Sequence, residues 1–256
     1  MKIFDTHAHY DDEKFDAGRE DIIEEVLSSG VEYILNASSD IKSSLSSISL
    51  SEKYEQFYAA VGIHPHECEE LDDEKEIIDK LRGMLEHPKV VAIGEIGLDY
   101  HYDLDFKDKQ LCWFDLQLSL AEETGYPVIV HDREAHGDTC DLIRAHPKST
   151  GIIHAFSGSA EMAKDLVNRG WYIAFGGSIT FKGASKILEA LKAVPDERLL
   201  VETDCPYLAP VPNRGKLNRS DYIPLILEKM SEIRGSTVDV LAEMTLKNAK
   251  TLLKIQ

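Results

Sequence analysis

The sequence predicts an α/β chain folded as a (β/α)8 barrel, and three observations carry that prediction. Eight short β-rich runs are spread over 256 residues, amphipathic segments separate them, and glycines stand at several helix-to-strand joins. A doubly wound sheet would more often show fewer strands and a glycine-rich phosphate fingerprint, which is missing here.

Taken in order, the first strand is expected at 2–5, followed by Ile22, Ile23, Val26 and Leu27 at helical spacing and then Gly30. The second is expected at 33–36. The serine-rich 40–51 that follows keeps Ile41, Leu45 and Ile48 at helical spacing, so it reads as a helix rather than a linker. Strands at 57–61 and 90–94 come next, then a helix marked by Leu111, Phe114 and Leu118 and ended by Gly125. Strands at 128–131 and 151–154 precede Gly170 and a seventh strand at 171–175. Ile187, Leu188 and Leu191 mark the helix before the last strand, 199–202. Gly30, Gly125 and Gly170 fall where a left-handed residue ends a helix, a position that favours glycine. No repeat, low-complexity tract or linker divides the chain, so residues 1–256 are expected to form one domain.

Twenty-eight basic against 46 acidic residues give a net charge of −18, with 43% hydrophobic composition, which excludes a disordered tail. No apolar stretch approaches the ~20 residues of a membrane span, and Asp5 and His7 interrupt the start before a signal-peptide core can form. A soluble, unprocessed, cytoplasmic protein is expected. Cys68, Cys112, Cys140 and Cys205 make no CxxC pair and fit reduced thiols. The acidity opposes nonspecific coating of nucleic acid unless a local positive centre overrides it.

Residue types suited to metal binding stand at the strand ends. Asp5, His7 and His9 spell DTHAH at the end of the first strand, where a period of two sends all three toward the barrel axis. With ten histidines in 256 residues an HxH arises about 0.4 times by chance, so its position carries more weight than its spelling. Glu95 lies just past VVAIG; it is either a structural acid paired with Arg or Lys, or a metal ligand. His131 ends PVIVH and His154 ends GIIH, each alone compatible with a hydrogen-bonded core histidine. Of Glu202 and Asp204 in LLVETD, Asp204 lies nearer the mouth and is the preferred functional acid. In a parallel barrel all strand C-termini share one rim, so these positions reinforce one another. Four histidines and two carboxylates suit two divalent ions such as Zn²⁺ or Mn²⁺, with Mg²⁺ a further candidate, better than Ca²⁺. Two such ions beside Glu95 and Asp204 leave a local charge near about +2, enough to attract an anion where distant acids are screened. His64 and His66 in GIHPH, Arg133, Lys182, Arg214 and Lys216 are weaker candidates for holding phosphate, each also readable as ordinary loop polarity. His87, His101, His136 and His146 carry no such positional argument.

Together DTHAH, GIHPH, GEIGLDY, VIVHDRE, IIHAFSG and ETDCPYLAP, in order over nearly the whole chain, resemble the TatD family of metal-dependent deoxyribonucleases. The resemblance implies an amidohydrolase-like barrel and DNA exonuclease activity. It also implies one metal on His7, His9 and Asp204, another on His131 and His154, and Glu95 shared, in the place where related hydrolases often carry a carboxylated lysine. Two departures follow RGK: Leu217 stands where the family often has a basic residue, and Arg219–Ser220 where Glu–Pro is common. The expected reaction is metal-assisted phosphodiester hydrolysis in which Asp204 takes the proton of the attacking water. His64 would contact the phosphate or leaving oxygen, Arg133 would help position it, and Glu95 would complete the catalytic set. DNA, single-stranded or at an end, is the expected substrate, without membrane association and with a monomer allowed. The rival readings are hydrolysis of a small amide, lactone or other ester at the same metals, and noncatalytic metal-dependent DNA binding.

Overall fold

A computed structural model describes residues 1–69, 71, 73–101 and 105–256. Eight parallel strands lie in the sheet order β1-β2-β3-β4-β5-β6-β7-β8, with helices between successive strands, as the (β/α)8 barrel requires. The chain groups into two compact units, Met1–Asn36 with His154–Gln256, and Ala37–Ile153.

In the first unit β1 (Ile3–Ala8) pairs with β2 (Val31–Ala37), setting Phe4 opposite Tyr33 and Asp5 opposite Ile34. Helix α1 (Arg19–Ser28) buries Ile23 and Val26, and α6 (Ala160–Asn168) begins at Ser159, whose hydroxyl caps the Met162 amide. Strands β7 (Tyr172–Phe175) and β8 (Leu199–Val201) pair in parallel around α7 (Ser185–Ala193). The polypeptide then passes through α8 (Ile223–Arg234) and α9 (Val238–Leu253). Phe4, Phe15, Phe156, Trp171 and Phe175 fill this core. An isolated bridge joins Ala8 to Cys205, fixing the end of β1 beside the turn that follows β8.

The second unit holds α2 (Ile41–Lys53), β3 (Phe57–Val61), α3 (Glu74–Met84), β4 (Val90–Asp99), α4 (Lys107–Thr124), β5 (Val128–Arg133), α5 (His136–Ala145) and β6 (Gly151–Ile153). Its strands pair β3 to β4, β4 to β5 and β5 to β6. Gly151 is required there, because a Cβ on it would overlap the Val128 carbonyl oxygen of the neighbouring strand. Gly125 closes α4 at φ 73°, the left-handed cap expected of it.

Two expectations need correction. Strand β4 does not end at Gly94 but runs on to Asp99, so Glu95 lies inside a strand rather than just past one. Glycines ordinarily weaken strands, but Gly97 sits at φ 138° with His131 of β5 so close that a Cβ would meet its carbonyl oxygen. The helix at 40–51 forms, with a reciprocal Asp40/Ser43 capping box, but its packed face is not the apolar one. Ser44, Ser47 and Ser51 are buried while Leu45 is 57% exposed. Small hydroxyls let the helix approach the sheet closely, and Ser47 meets Ser38 at 2.8 Å, whose hydroxyl also reaches the Ala60 carbonyl at 2.7 Å.

Candidate functional site

In the first unit four predicted residues converge. His7 lies in β1, His9 just beyond it, His154 directly after β6, and Asp204 in the turn after β8. The Nε2 atoms of His7 and His9 are 3.0 Å apart, and Asp204 Oδ1 lies 3.7 Å and 3.3 Å from them. His154 stacks on His7 with ring centroids 3.9 Å apart. Burial opposes ionisation of Asp204, but the contact with His9 and the nearby His154 and His7 outweigh it and hold the carboxyl below its usual range. Asp204 occupies the left-handed region, at φ 60°, a conformation Asp tolerates better than most residues. Its amide donates to the His7 carbonyl at 2.9 Å, so the same strain aligns β1 with the acid.

Asp5, although on the parity of His7, does not join this cluster. Its Oδ1 accepts from the Thr203 and His7 amides at 3.0 and 3.3 Å, and its Oδ2 from the Thr203 and Ser220 hydroxyls at 2.5 and 2.7 Å. Burial pushes its pKa up to about 7 even against those bonds. Ser220 also meets the Tyr10 hydroxyl at 2.8 Å, so it takes part in the network that holds the His7 amide. Arg219 pairs with Asp221 and Glu25.

Glu202 is the residue sequence reasoning set aside. It is fully buried, its Oε1 accepts from the Ala155 amide at 2.5 Å and lies 3.6 Å from His154 Nδ1, and its Oε2 has no hydrogen-bond partner among the described residues. A buried carboxylate oxygen without a donor is costly unless a cation or water meets it. His7, His154 and Glu202 present ligand atoms within 4.8 Å of one another, so the donor set fits a divalent cation in both chemistry and spacing.

The second unit gathers His64, Glu95 and His131 in the same way, with donor atoms within 4.8 Å. Glu95 Oε1 lies 2.7 Å from His131 Nδ1 and 3.6 Å from His64 Nε2. Both of these contacts are with imidazoles, as a metal ligand's would be. Asp99, not singled out from the sequence, lies 3.1 Å from His131 Nε2 and 3.0 Å from His66 Nε2. Burial would raise Asp99, but these imidazoles and the His101 amide hold it well below the carboxylate range. The signal was present: Asp99 shares the parity of Glu95 in GEIGLDY once the strand is known to continue.

Two buried glutamines on the otherwise apolar face of α4 position this cluster. Gln117 accepts from the Ile63 amide at 2.7 Å and donates to its carbonyl at 3.0 Å, clamping the residue before His64. Gln110 does the same for Asp99, at 2.9 and 3.1 Å. Their spacing of seven places them on one helix face, the pattern that marks them in the sequence. Arg133 ends β5 opposite Asp99, whereas Lys182 and Arg214 lie exposed on loops of the first unit. His87, His101, His136 and His146 each pair with a carboxylate outside these clusters.

Comparisons with known proteins give the family of the chain. The TatD related DNase family matches residues 4–254. The chain is 39% identical over 255 residues to the metal-dependent hydrolase YabD of Bacillus subtilis (strain 168), covering 99% of each chain. It is 33% identical to the metal-dependent hydrolase YcfH of Escherichia coli (strain K12), covering 100% of this chain and 97% of that one. The crystal structure of YjjV, a TatD homolog from Escherichia coli K12, superposes with a TM-score of 0.92 at 32% identity, covering 99% and 98% of the two chains. No helix among the described residues is long and apolar enough to cross a membrane. With a family match along nearly its full length and relatives above 30% identity, this chain belongs to the TatD-related family of metal-dependent hydrolases.

Proposed function

We propose that this protein is a cytoplasmic deoxyribonuclease that removes nucleotides from DNA ends, using two divalent ions per chain, Zn²⁺, Mn²⁺ or Mg²⁺. The ligands are the imidazoles of His7, His9, His131 and His154 and the carboxylates of Glu95 and Asp204. The observation that carries the reading is Asp204, a half-buried carboxyl whose Oδ1 lies within 3.7 Å of two imidazole nitrogens that face each other and whose pKa they lower. When bound, divalent ions of this kind lower the pKa of water from about 15.7 toward about 7 and stabilise charge developing on phosphoryl oxygens.

The residues of the chain do the rest. Asp204 stays ionised among imidazoles, so it can accept a proton from the attacking water at the carboxylate oxygen turned from His9. His64, held by the Gln117 clamp on Ile63, presents an imidazole to the phosphate or the leaving oxygen. Arg133 orients a non-bridging phosphate oxygen. Glu95, kept within 2.7 Å of His131, offsets cationic charge that the imidazoles alone could not. A chain of net charge −18 favours a short engagement, so a single strand or an end is the substrate rather than a wrapped duplex.

Cleavage of end-labelled oligonucleotides tests this directly. Chelation should lower the rate at least about 100-fold, and readdition of one of the three ions should restore it with a ladder that shortens from one end. Metal-independent cleavage would refute the assignment, as would a loaded enzyme that hydrolyses a lactone or amide but no DNA.

A further inference from the structure

Beside the Asp204 turn two stretches of chain carry basic residues and no acidic ones. Residues 166–188 and 205–220 contain no Asp or Glu, in a chain with 46 acidic residues among 256, yet they carry Lys182, Lys186, Arg214 and Lys216. The loops after β7 and β8 are packed together: the Val211 amide donates to Thr180 Oγ1 at 2.9 Å, and a Cβ on Gly177 would overlap the Leu208 carbonyl oxygen. Arg82, Arg144, Arg219 and Arg234 pair with carboxylates, whereas the Arg214 guanidinium lies 3.8 Å from the centroid of the Phe181 ring. No carboxylate lies within ion-pair distance of Arg214, Lys182 or Lys216 among the described residues; Lys216 instead donates to Asn213 Oδ1 at 3.1 Å.

This surface is also unusually apolar for its exposure. Tyr207, Leu208 and Val211 are 43%, 40% and 47% exposed. Tyr207 joins the surface to the site: its amide donates to the Asp204 carbonyl at 2.8 Å, and its ring meets that of His9 edge-on at 6.4 Å. The ring is fixed by the phenol's bond to Asp12 Oδ2 at 2.6 Å and by Lys14 Nζ, 3.8 Å from its centroid. Asp12, Glu13 and Asp204 are the acids beside this ring, and Lys14 stands against it.

We infer that the surface formed by the loops after β7 and β8 binds the single-stranded flank of a DNA substrate. Arg214 and Lys182 contact its phosphates, and the Tyr207 ring meets the nucleobase next to the site. A guanidinium packed against an aromatic ring and not paired with a carboxylate keeps N–H donors for phosphate, while aromatic rings accept any base. Exposed cations beside exposed aromatic and aliphatic groups match a strand that offers phosphates and bases alternately. The inference rests on the phosphodiesterase reading above and names the part of the protein that gives that reaction its polymeric substrate.

The test compares kcat/KM of the metal-loaded enzyme on end-labelled dinucleotide and twelve-nucleotide oligothymidylates, between about 50 and 300 mM salt. Wild type should gain at least about tenfold with length. In Arg214→Gln/Lys182→Gln that gain should disappear, and the log–log salt slope on the longer substrate should fall by about 1.4, from two fewer phosphate contacts on a single strand. Arg214→Lys should retain the slope, which a merely structural role for the arginine would not predict. Unchanged length gain and salt slope in the double variant, at an unchanged thermal midpoint, overturn the inference while leaving the nuclease assignment standing. A metal-loaded wild type that cleaves neither oligonucleotide overturns both.

Discussion

Asp204→Asn is expected to lower kcat/KM for an end-labelled oligonucleotide by about 10³-fold, with the thermal midpoint within a few degrees of wild type. The amide keeps the shape of the side chain and tolerates the left-handed backbone at φ 60°, so the turn after β8 should persist. What disappears is the charge. Desolvation opposes the charge of Asp204, and the contact with His9 and the proximity of His154 and His7 favour it. Those same imidazoles then face a neutral group that neither balances a cation nor accepts a proton from water. Kinetics and metal content measured on one preparation check this, and near-wild-type turnover free of contaminating nuclease would remove Asp204 from the mechanism.

Asp5→Ala should have the largest effect on stability, a loss of about 3 kcal/mol, which for a chain of this size lowers the thermal midpoint by roughly 6–12 °C. The substitution strips the acceptor from two amides and two hydroxyls, those of His7, Thr203 and Ser220, in a region with no solvent to replace it. Breaking a buried charge pair costs up to about 5 kcal/mol, but burial already pushes Asp5 up to about 7. Removing it therefore relieves part of its own desolvation, which is why the lower figure applies. Because the His7 amide is one of the four donors, activity should fall as well. Thermal melts of Asp5→Ala beside Ser220→Ala, which removes one donor only, measure the network. A midpoint unchanged in Asp5→Ala would contradict it.

The sequence exposed the parts of this fold that depend on local pattern. Runs such as VIV before His131 and GII before His154 are short, apolar and β-branched, so both strands and the imidazoles that follow these runs are legible in the sequence, although β5 continues past His131 to Arg133. Patterns that invert the usual rule are not legible in this way. Leu45 faces outward and Ser47 inward because close approach of α2 to its strand favours small side chains over apolar ones. Gly94 looked like a strand end, although β4 continues to Asp99 where its backbone comes close to Ile129 and His131. Glu202, Asp99, Gln110 and Gln117 stayed hidden for a different reason. Their roles depend on partners brought close only by folding, as with Glu202 and the Ala155 amide 47 residues away.

The account depends on these imidazoles and carboxylates holding divalent ions. Anomalous diffraction from crystals of the active enzyme loaded with Mn²⁺ or Zn²⁺, recorded at the metal's absorption edge, tests this most directly. The prediction is one density peak within coordination distance of His7 and His9 Nε2 and Asp204, and a second among Glu95 and His131. An active, metal-loaded enzyme with no anomalous peak beside these atoms would contradict it.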